Sequence, residues 1–543
     1  MNRFLTLNLL ALLTFFAGCR NQGLGSLAGV NTNNNGNLNN QNSDAGGGSA
    51  NNNNGNNTGS GGGSTMPNLP PGIDPYSFGN LTLTQGPQPA VSYVAQYGDV
   101  RVGNQVQYTA IFANWGFTPI FNLTIQIHPS QHFSIASNNC PTSLGGLESC
   151  SVVIRFAPKT PGNLSATLNA DGDNVGQLVR TLSGTGIQRL VRLGAGQRHA
   201  CGISTTGRLY CWGHNNNGQL GVNNKTDKRE PDEEVLDIGV GVNMVTGGAD
   251  HTCALNGGKA YCWGRNDYYQ VGRSDSTADQ KRPYEVTALD SSVTDIAAAY
   301  QSTCAIRSGE VWCWGRNDQG EAGIVKANGK IKQNITPTKV DGLPAAATRI
   351  AMGAQHTCAA LENGEAYCWG RNDLGQLGDG TRKQRLTPVK VSDLSDVKQV
   401  AAGDHQSCAI KGDGSLYCWG DGTWYALGNG DWNVFKTPTR IFDGGVSSVS
   451  LGDNHGCAIR DSNLLCWGLG HLGQLGVGGY GHSRYPEEVV PSSFSPVQIA
   501  LGHDSSYAIF GDRAYSWGYN GHGRLGVDSS KGSIDTPTLI PLD

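Results

Sequence analysis

Cysteine and histidine are the residues of this chain whose spacing promises chemistry. There are 15 Cys in 543 residues. Fourteen fall into pairs nine or ten positions apart: Cys140 with Cys150, Cys201 with Cys211, Cys253 with Cys262, Cys304 with Cys313, Cys358 with Cys368, Cys408 with Cys418 and Cys457 with Cys466. No Cys-x-x-Cys or Cys/His ligand spacing occurs, so the pairs read as disulfides of an oxidising compartment, and no metal is expected. Register supports that pairing. With Cys253 opposite Cys262, the loop left between them is Gly257-Gly258, a favoured two-residue hairpin loop. Cys201–Cys211, Cys358–Cys368 and Cys408–Cys418 leave three-residue loops ending in Gly207, Gly364 and Gly414, where a left-handed residue is needed. Cys at a non-hydrogen-bonded pair lie about 4.5 Å apart at Cα, within disulfide reach.

His199, His251, His356 and His455 each precede the first Cys of a pair by two residues. Four such His suggest either a metal or catalytic ring around a common axis, or a recurrent hydrogen bond to a neighbouring turn. The second reading is favoured, because repeated scaffolds reuse structural residues at matching positions. The Arg-Asn-Asp triplets at 265–267, 316–318 and 371–373 read as turn chemistry. The signatures of serine hydrolases, His-Glu-x-x-His metalloproteases and P-loop NTPases are absent. No catalytic residue and no cofactor is therefore expected.

Candidate binding residues sit in variable stretches. Lys326, Lys330 and Lys332 occupy 324–336 without an acid, and Arg382, Lys383 and Arg385 face only Asp379 in 379–387. Trp424, Tyr425, Trp432 and Phe435 follow in 424–435. Basic residues beside aromatics make a binding patch for a protein or an anionic surface polymer. The net charge of −4 supplies no global field for nucleic acid.

The elements that must hold these residues repeat. Trp-Gly recurs at Trp212, Trp263, Trp314, Trp369, Trp419, Trp467 and Trp517, at intervals of 51, 51, 55, 50, 48 and 50 residues. A unit of this length holds about four short strands and cannot bury both faces of its sheet alone. Seven such units stacked radially bury one another. Tyr261 and Trp263 share one face of their strand and Cys262 takes the other. Units such as Val400-Ala-Ala-Gly-Asp-His-Gln-Ser-Cys-Ala-Ile410, Leu416-Tyr-Cys-Trp-Gly420 and Trp369-Gly-Arg-Asn-Asp-Leu-Gly-Gln-Leu-Gly378 resemble the regulator-of-chromosome-condensation repeat. The resemblance implies a seven-bladed propeller over 188–543 that acts by protein binding. Thr-Pro strands occur at Thr336, Thr387, Thr437 and Thr536, but none precedes the first unit. Residues 536–542 are accordingly expected to pair with strands of the first unit and close the ring, since an open ring exposes two edges.

Residues 75–187 carry alternating, turn-bounded runs at 105–113 and near 120–127, 150–157, 163–170 and 176–183, which predict a β-sandwich. Cys150-Ser-Val-Val-Ile-Arg-Phe-Ala-Pro158 and Leu182-Ser-Gly-Thr-Gly186 resemble the immunoglobulin-like domains of the abnormal-spindle and hydin group. The expected class is all-β throughout. Residues 20–74 are an Asn/Gly/Ser-rich tether too polar to bury a core. Residues 1–19 have a basic start, an apolar Leu5–Phe16 stretch and the ending Phe16-Ala17-Gly18-Cys19. That ending resembles a bacterial lipobox, which implies a lipid anchor on the leftover Cys19. The expectation is a monomeric, non-catalytic binding lipoprotein of the bacterial cell envelope, at the outer membrane or cell surface. A propeller hydrolase or lyase acting on envelope glycans, with acids or His converging at the axis, is the rival. An inhibitor of a secreted enzyme is a variant. Nucleotide exchange on a GTPase, which the repeat family also includes, fits poorly with export and disulfides.

Overall fold

A computed structural model describes residues 89–93, 96–489 and 495–542. The leader 1–19 with Cys19, the tether 20–74 and the start of 75–187 lie outside these described residues.

Residues 89–187 form two four-stranded sheets around one core. The first contains Pro89–Ser92, Val106–Asn114, Ser149–Phe156 and Phe133–Asn138; the second contains Gln96–Arg101, Val175–Ile187, Gly162–Gly172 and Thr124–His128. Alternation decides which side chains enter. In Ser149–Phe156, Cys150, Val152, Ile154 and Phe156 are buried. They meet Ala166, Leu168 and Leu182 of the other sheet.

Residues 190–542 form seven sheets of consecutive strands, designated blades one to seven, with strands a to d from the centre outward. In blade two these are Val242–Gly247, His251–Asn256, Lys259–Gly264 and Gln280–Glu285. Strands b and c are held in the register that places Cys253 opposite Cys262, with Cα atoms 4.1 Å apart. The connecting Gly257 and Gly258 both adopt positive φ, as a two-residue turn of matching twist requires.

Seven disulfides join the nearest-neighbour pairs expected from the spacing. Cys140–Cys150 ties the segment after Phe133–Asn138 to the neighbouring strand Ser149–Phe156. The other six each bridge strands b and c of one blade. They are Cys201–Cys211, Cys253–Cys262 and Cys304–Cys313 in blades one to three. Cys358–Cys368, Cys408–Cys418 and Cys457–Cys466 follow in blades four to six. The b–c register sets Cys304 directly opposite Cys313 and Cys457 directly opposite Cys466, each with Cα atoms 4.1 Å apart. These two pairs enclose Ser308-Gly309 and Asp461-Ser462, two-residue turns like Gly257-Gly258, with positive φ at all four residues. Blade seven has Tyr507 opposite Ser516 instead of a Cys pair.

Each Trp of the repeat is fully buried against the preceding blade. Trp263 packs among Cys201, Ile203, Leu209 and Cys211 of blade one, and its Nε1 donates to Gln219 O at 2.8 Å. The Gly that follows, Gly264, has φ +101, and a Cβ there would lie 2.5 Å from Asp250 O. Only Gly lets the chain leave strand c so close to the a–b turn.

The ring does not close as expected from the Thr-Pro pattern. Ser533–Leu539 pairs with strand c of its own blade, Tyr515 opposite Leu539 and Gly518 opposite Ile534. Blade one carries three regular strands, and its outer position is taken by 228–234, which bridges strand c with Gly213 opposite Lys228 and Tyr210 opposite Glu234. Pro231 thus stands where other repeats have Thr-Pro, hidden among Asp232, Glu233 and Glu234. Closure comes from packing. Leu525, Val527, Ile534 and Ile540 share a core with Leu190 and Trp212. The Gln498 amide accepts from Leu193 N and donates to Leu193 O, both at 2.9 Å.

Candidate binding face and channel mouth

Strands a and c run in the same direction, so the a–b turns and c–d loops emerge at one end of the ring. They are tied together there: Arg265 N donates to Asp250 O and Arg371 N to Gln355 O, each at 2.9 Å. The a–b turns provide two informative positions. The first is Gln197, Ala249, Tyr300, Ala354, Asp404, Asp453 and His503 in blades one to seven. Two residues later, the third is His199, His251, Ser302, His356, Gln406, His455 and Ser505.

The third-position His do not form a ring of ligands. Each is buried between its own blade and the next, where Nε2 donates to a hydroxyl: His199 to Thr252 (2.7 Å), His251 to Thr303 (2.9 Å), His356 to Ser407 (2.8 Å) and His455 to Ser506 (3.0 Å). Those hydroxyls donate onward to Gln219, Gln270, Gln376 and Gln474 carbonyls, which also receive the wedge Trp Nε1–H. This direction of donation puts the imidazole proton on Nε2. Burial pushes the His199, His251 and His356 pKa down to about 3 and that of His455 to about 4, so the rings stay neutral.

In every blade but the second, the first position lines the central channel, a space of about 340 Å³ bounded by the a strands. In blades five, six and seven it brings Asp404, Asp453 and His503 together, with their ligating atoms all within 4.8 Å of one another. His503 Nε2 lies 3.2 Å from Asp453 Oδ2 and 4.0 Å from Asp404 Oδ2, while Nδ1 lies 2.8 Å from Asp504 Oδ2. The Asp504 hydrogen bond outweighs burial and, with the Asp453 and Asp404 charges, raises the His503 pKa. Burial, with Asp453 nearby, raises that of Asp404. The pocket therefore favours positive charge. Motif reading missed this group because its members lie about fifty residues apart and share no signature. Reading the first turn position across the repeats would have found it.

A second group, His214, Asp227 and His522, meets where blades seven and one join. His214 Nδ1 accepts from Gln219 Nε2 at 3.0 Å, and His522 Nδ1 pairs with Asp227 at 2.8 Å. The Arg-Asn-Asp triplets build turns: Asn266 accepts from Val271 N and donates to Arg273 and Ser276 carbonyls, beside an Arg265–Asp267 ion pair.

The c–d loops of blades three, four and five carry the basic and aromatic residues. Lys326, Lys330, Lys332, Arg382 and Lys383 are exposed, and none has an ion-pair partner among the described residues. Arg385 is different: it pairs with the buried Asp379 carboxylate at 2.7 Å and serves the loop's own fold. Trp424 and Trp432 are 38% and 45% exposed, with ring centroids 5.0 Å apart. Tyr425 and His482 lie against them at 5.2 and 5.1 Å, and the Arg484 guanidinium covers Tyr425. Trp424 and Tyr425 both adopt left-handed backbone, at φ +62 and +61. Such conformations in bulky residues cost of order 1–3 kcal/mol each and concentrate at functional sites. Phe435 departs from the sequence expectation: it opens strand d opposite Gly420 and packs against the blade-five core.

Comparison with known proteins places these features. The RCC1-like domain family matches residues 256–543, and Regulator of chromosome condensation (RCC1) repeats match 206–255 and 191–219. The ultraviolet-B receptor UVR8 of Arabidopsis thaliana is 30% identical over 216 residues, 39% of this chain and 48% of that protein. The E3 ubiquitin-protein ligase HERC2 of Homo sapiens is 31% identical over 263 residues, 45% of this chain but 5% of the ligase. This chain thus spans about half of one relative and a small part of the other. Among solved structures, Prp20p from Saccharomyces cerevisiae has a TM-score of 0.56 at 24% identity, covering 63% of this chain and 87% of that one. Human WBSCR16 has a TM-score of 0.56 at 20% identity, covering 62% and 94%. With its family matched over more than half its length, this chain belongs to the RCC1-like domain family.

Proposed function

We propose that the protein is a non-catalytic recognition module of the bacterial cell envelope. It binds a protein partner or an anionic surface polymer through the propeller end that carries the c–d loops. The observation that carries this reading is the exposed Trp424–Trp432 cluster at the same end of the ring as five cations that have no ion-pair partner among the described residues. Trp, Tyr and Arg are what hot spots are built from, and free lysines around them steer an acidic partner by charge. RCC1-like propellers often bind proteins, and Prp20p binds Gsp1p and histones. In this reading Cys19 bears the lipid, 20–74 is a tether, and the two-sheet unit, taken as an immunoglobulin-like domain, is a spacer. Cys19→Ser then yields soluble protein, and unchanged detergent partitioning refutes the anchor. Capture from solubilised envelopes tests the face: Trp432→Ala loses the partner while keeping its melting temperature. Equal capture by the variant sinks this assignment.

The enzyme reading has one observation in its favour, the convergence of Asp404, Asp453 and His503 at the channel. Paired carboxylates at a propeller axis suit glycan hydrolysis or elimination. Turnover of envelope glycans by the wild type, abolished by Asp453→Asn, would displace the binding reading.

A further inference from the structure

We propose that Asp404, Asp453 and His503 form a divalent-cation site of transition-metal type at the mouth of the propeller channel. The donor set comes first. Two carboxylate oxygens and one imidazole nitrogen lie within 4.8 Å of one another, close enough for one ion to contact all three after small side-chain adjustment. Ligand bonds to such ions are about 2.0–2.2 Å long, which places ligand atoms about 3 Å apart or slightly more. His503 Nε2 and Asp453 Oδ2 already stand at 3.2 Å.

The orientation of the imidazole is a separate observation. Asp504, outside the donor set, takes the Nδ1 side of His503 at 2.8 Å. A metal-bound His almost always gives its other N–H to a carboxylate or carbonyl, which fixes the tautomer and turns the lone pair toward the ion. Here that leaves Nε2 facing the two carboxylates. His214 in the second group differs: its Nδ1 is already engaged by Gln219, whose Oε1 is held by Asn217 N.

The frame supplies rigidity. The three ligands occupy one turn position on three consecutive blades, and each turn is pinned by its backbone bond, Gly403 N to Gln406 O, Gly452 N to His455 O and Gly502 N to Ser505 O. The other blades place Gln197, Ala249, Tyr300 and Ala354 at this position, so the donor set is one-sided. An ion there keeps coordination positions open toward the channel, the arrangement of a reactive or ligand-capturing site and not of a closed structural one. One nitrogen and two oxygens suit Mn²⁺, Fe²⁺, Co²⁺ or Zn²⁺ better than Ca²⁺, which takes 6–8 oxygens.

The site stands independently of partner recognition by the loops. Its test is titration of the purified mature protein with Co²⁺ and Zn²⁺, read by calorimetry and by the visible absorption of bound Co²⁺. The expected result is one equivalent at this site, with Asp453→Asn and His503→Gln losing it. Asp504→Asn should weaken it by about 10–100-fold, the usual effect of removing an orienting partner. Asp227→Asn, in the second group, should leave it unchanged. Identical stoichiometry and affinity in wild type and His503→Gln would overturn the proposal, as would loss only in Asp227→Asn. If a site variant fails to fold, the wild-type Co²⁺ spectrum decides: no ligand-field bands at saturating metal is also a refutation.

Discussion

His455 and His503 sit in the a–b turns of neighbouring blades, one at the third position of its turn and the other at the first. His455 is sealed between blades, gives its proton to Ser506 and is held neutral by burial. His503 faces the channel, where the Asp504 hydrogen bond, with the Asp453 and Asp404 charges, outweighs burial and raises its pKa. Two residues of displacement thus separate a structural imidazole from a chemical one. The third position carries His in four blades and Ser or Gln in the rest; the first varies from Ala to Tyr to Asp. Positions that recur build the ring, and positions that differ among blades build what the ring presents.

The largest effect should come from a recurring position. Trp369 is fully buried and joins blade four to blade three through a core with Ile335, Val340 and Ile350 and a 3.0 Å bond to Glu321 O. Trp369→Ala should cost about 3–5 kcal/mol, seen as a large drop in denaturation midpoint. Trp432→Ala, at an exposed position, should fall within about 0.5 kcal/mol of wild type. Equal losses would erase the distinction between frame and face.

Much of that frame is legible in the amino-acid sequence. The Trp-Gly period predicts seven units, and counting inward from the Cys201, Cys253, Cys358 and Cys408 pairs predicts the b–c register of four blades. The closure of the ring was not legible, because blade one replaces Thr-Pro with Glu230-Pro231 followed by three acids and never forms a regular outer strand. Of the loop residues, the free lysines and the Trp pair are on the surface, whereas Arg385 pairs with a buried carboxylate and Phe435 packs against the blade-five core. Composition does not say which cation has a buried carboxylate within reach. The channel-mouth group was invisible to motif reading for another reason: its chemistry exists only after three distant turns converge.

The disulfides give the next test of the frame. Cys358–Cys368 crosslinks strands b and c at a separation of 10 residues. Replacing both by Ala should lower stability by about 2–3 kcal/mol on the chain-entropy estimate. Blade seven shows that a blade tolerates the loss when the pair is refilled, with Tyr507 OH bonded to Arg524 O and Ser516 to Leu525 O. Cys358→Tyr combined with Cys368→Ser should therefore recover part of what the Ala pair loses. No recovery would show that the crosslink matters and the filling does not.

The buried His sharpen the comparison through pH. An ordinary His titrates near 6.5 when unfolded, and His356 titrates at about 3 when folded, depressed by burial and then by its neighbour His405. Stability from keeping it neutral is complete above pH 6.5 and declines as pH falls toward 3, by up to about 1.4 kcal/mol per pH unit for one group. Blade five already uses Gln406 at this position, donating to Asp453 O at 2.6 Å. His356→Gln should cost about 1 kcal/mol at pH 7 and less at pH 4.5, because Gln has nothing to protonate. Melting curves across that range decide it; a loss independent of pH would mean that His356 is not held neutral.

The smallest effect on stability should come from the loop cations, and there the expected change is in rate. Lys330 and Arg382 are exposed on blades three and four, and neither has an ion pair among the described residues. Reversing both, Lys330→Glu with Arg382→Glu, removes no packing and breaks no pair, so stability should move by less than about 0.5 kcal/mol. Charges of this kind act at long range by steering a complementary partner, and salt screens them with a length of about 8 Å at physiological ionic strength. If the loop face meets an acidic partner, the double reversal should slow association about tenfold or more at low salt, with little change in dissociation, and the difference should shrink at high salt. Trp432→Ala should do the converse, speeding dissociation with little dependence on salt, since buried aromatic area acts after encounter. Surface plasmon resonance on the captured partner separates the two. A reversal that changed only dissociation would show that the cations are contact residues and the face is not steered by charge.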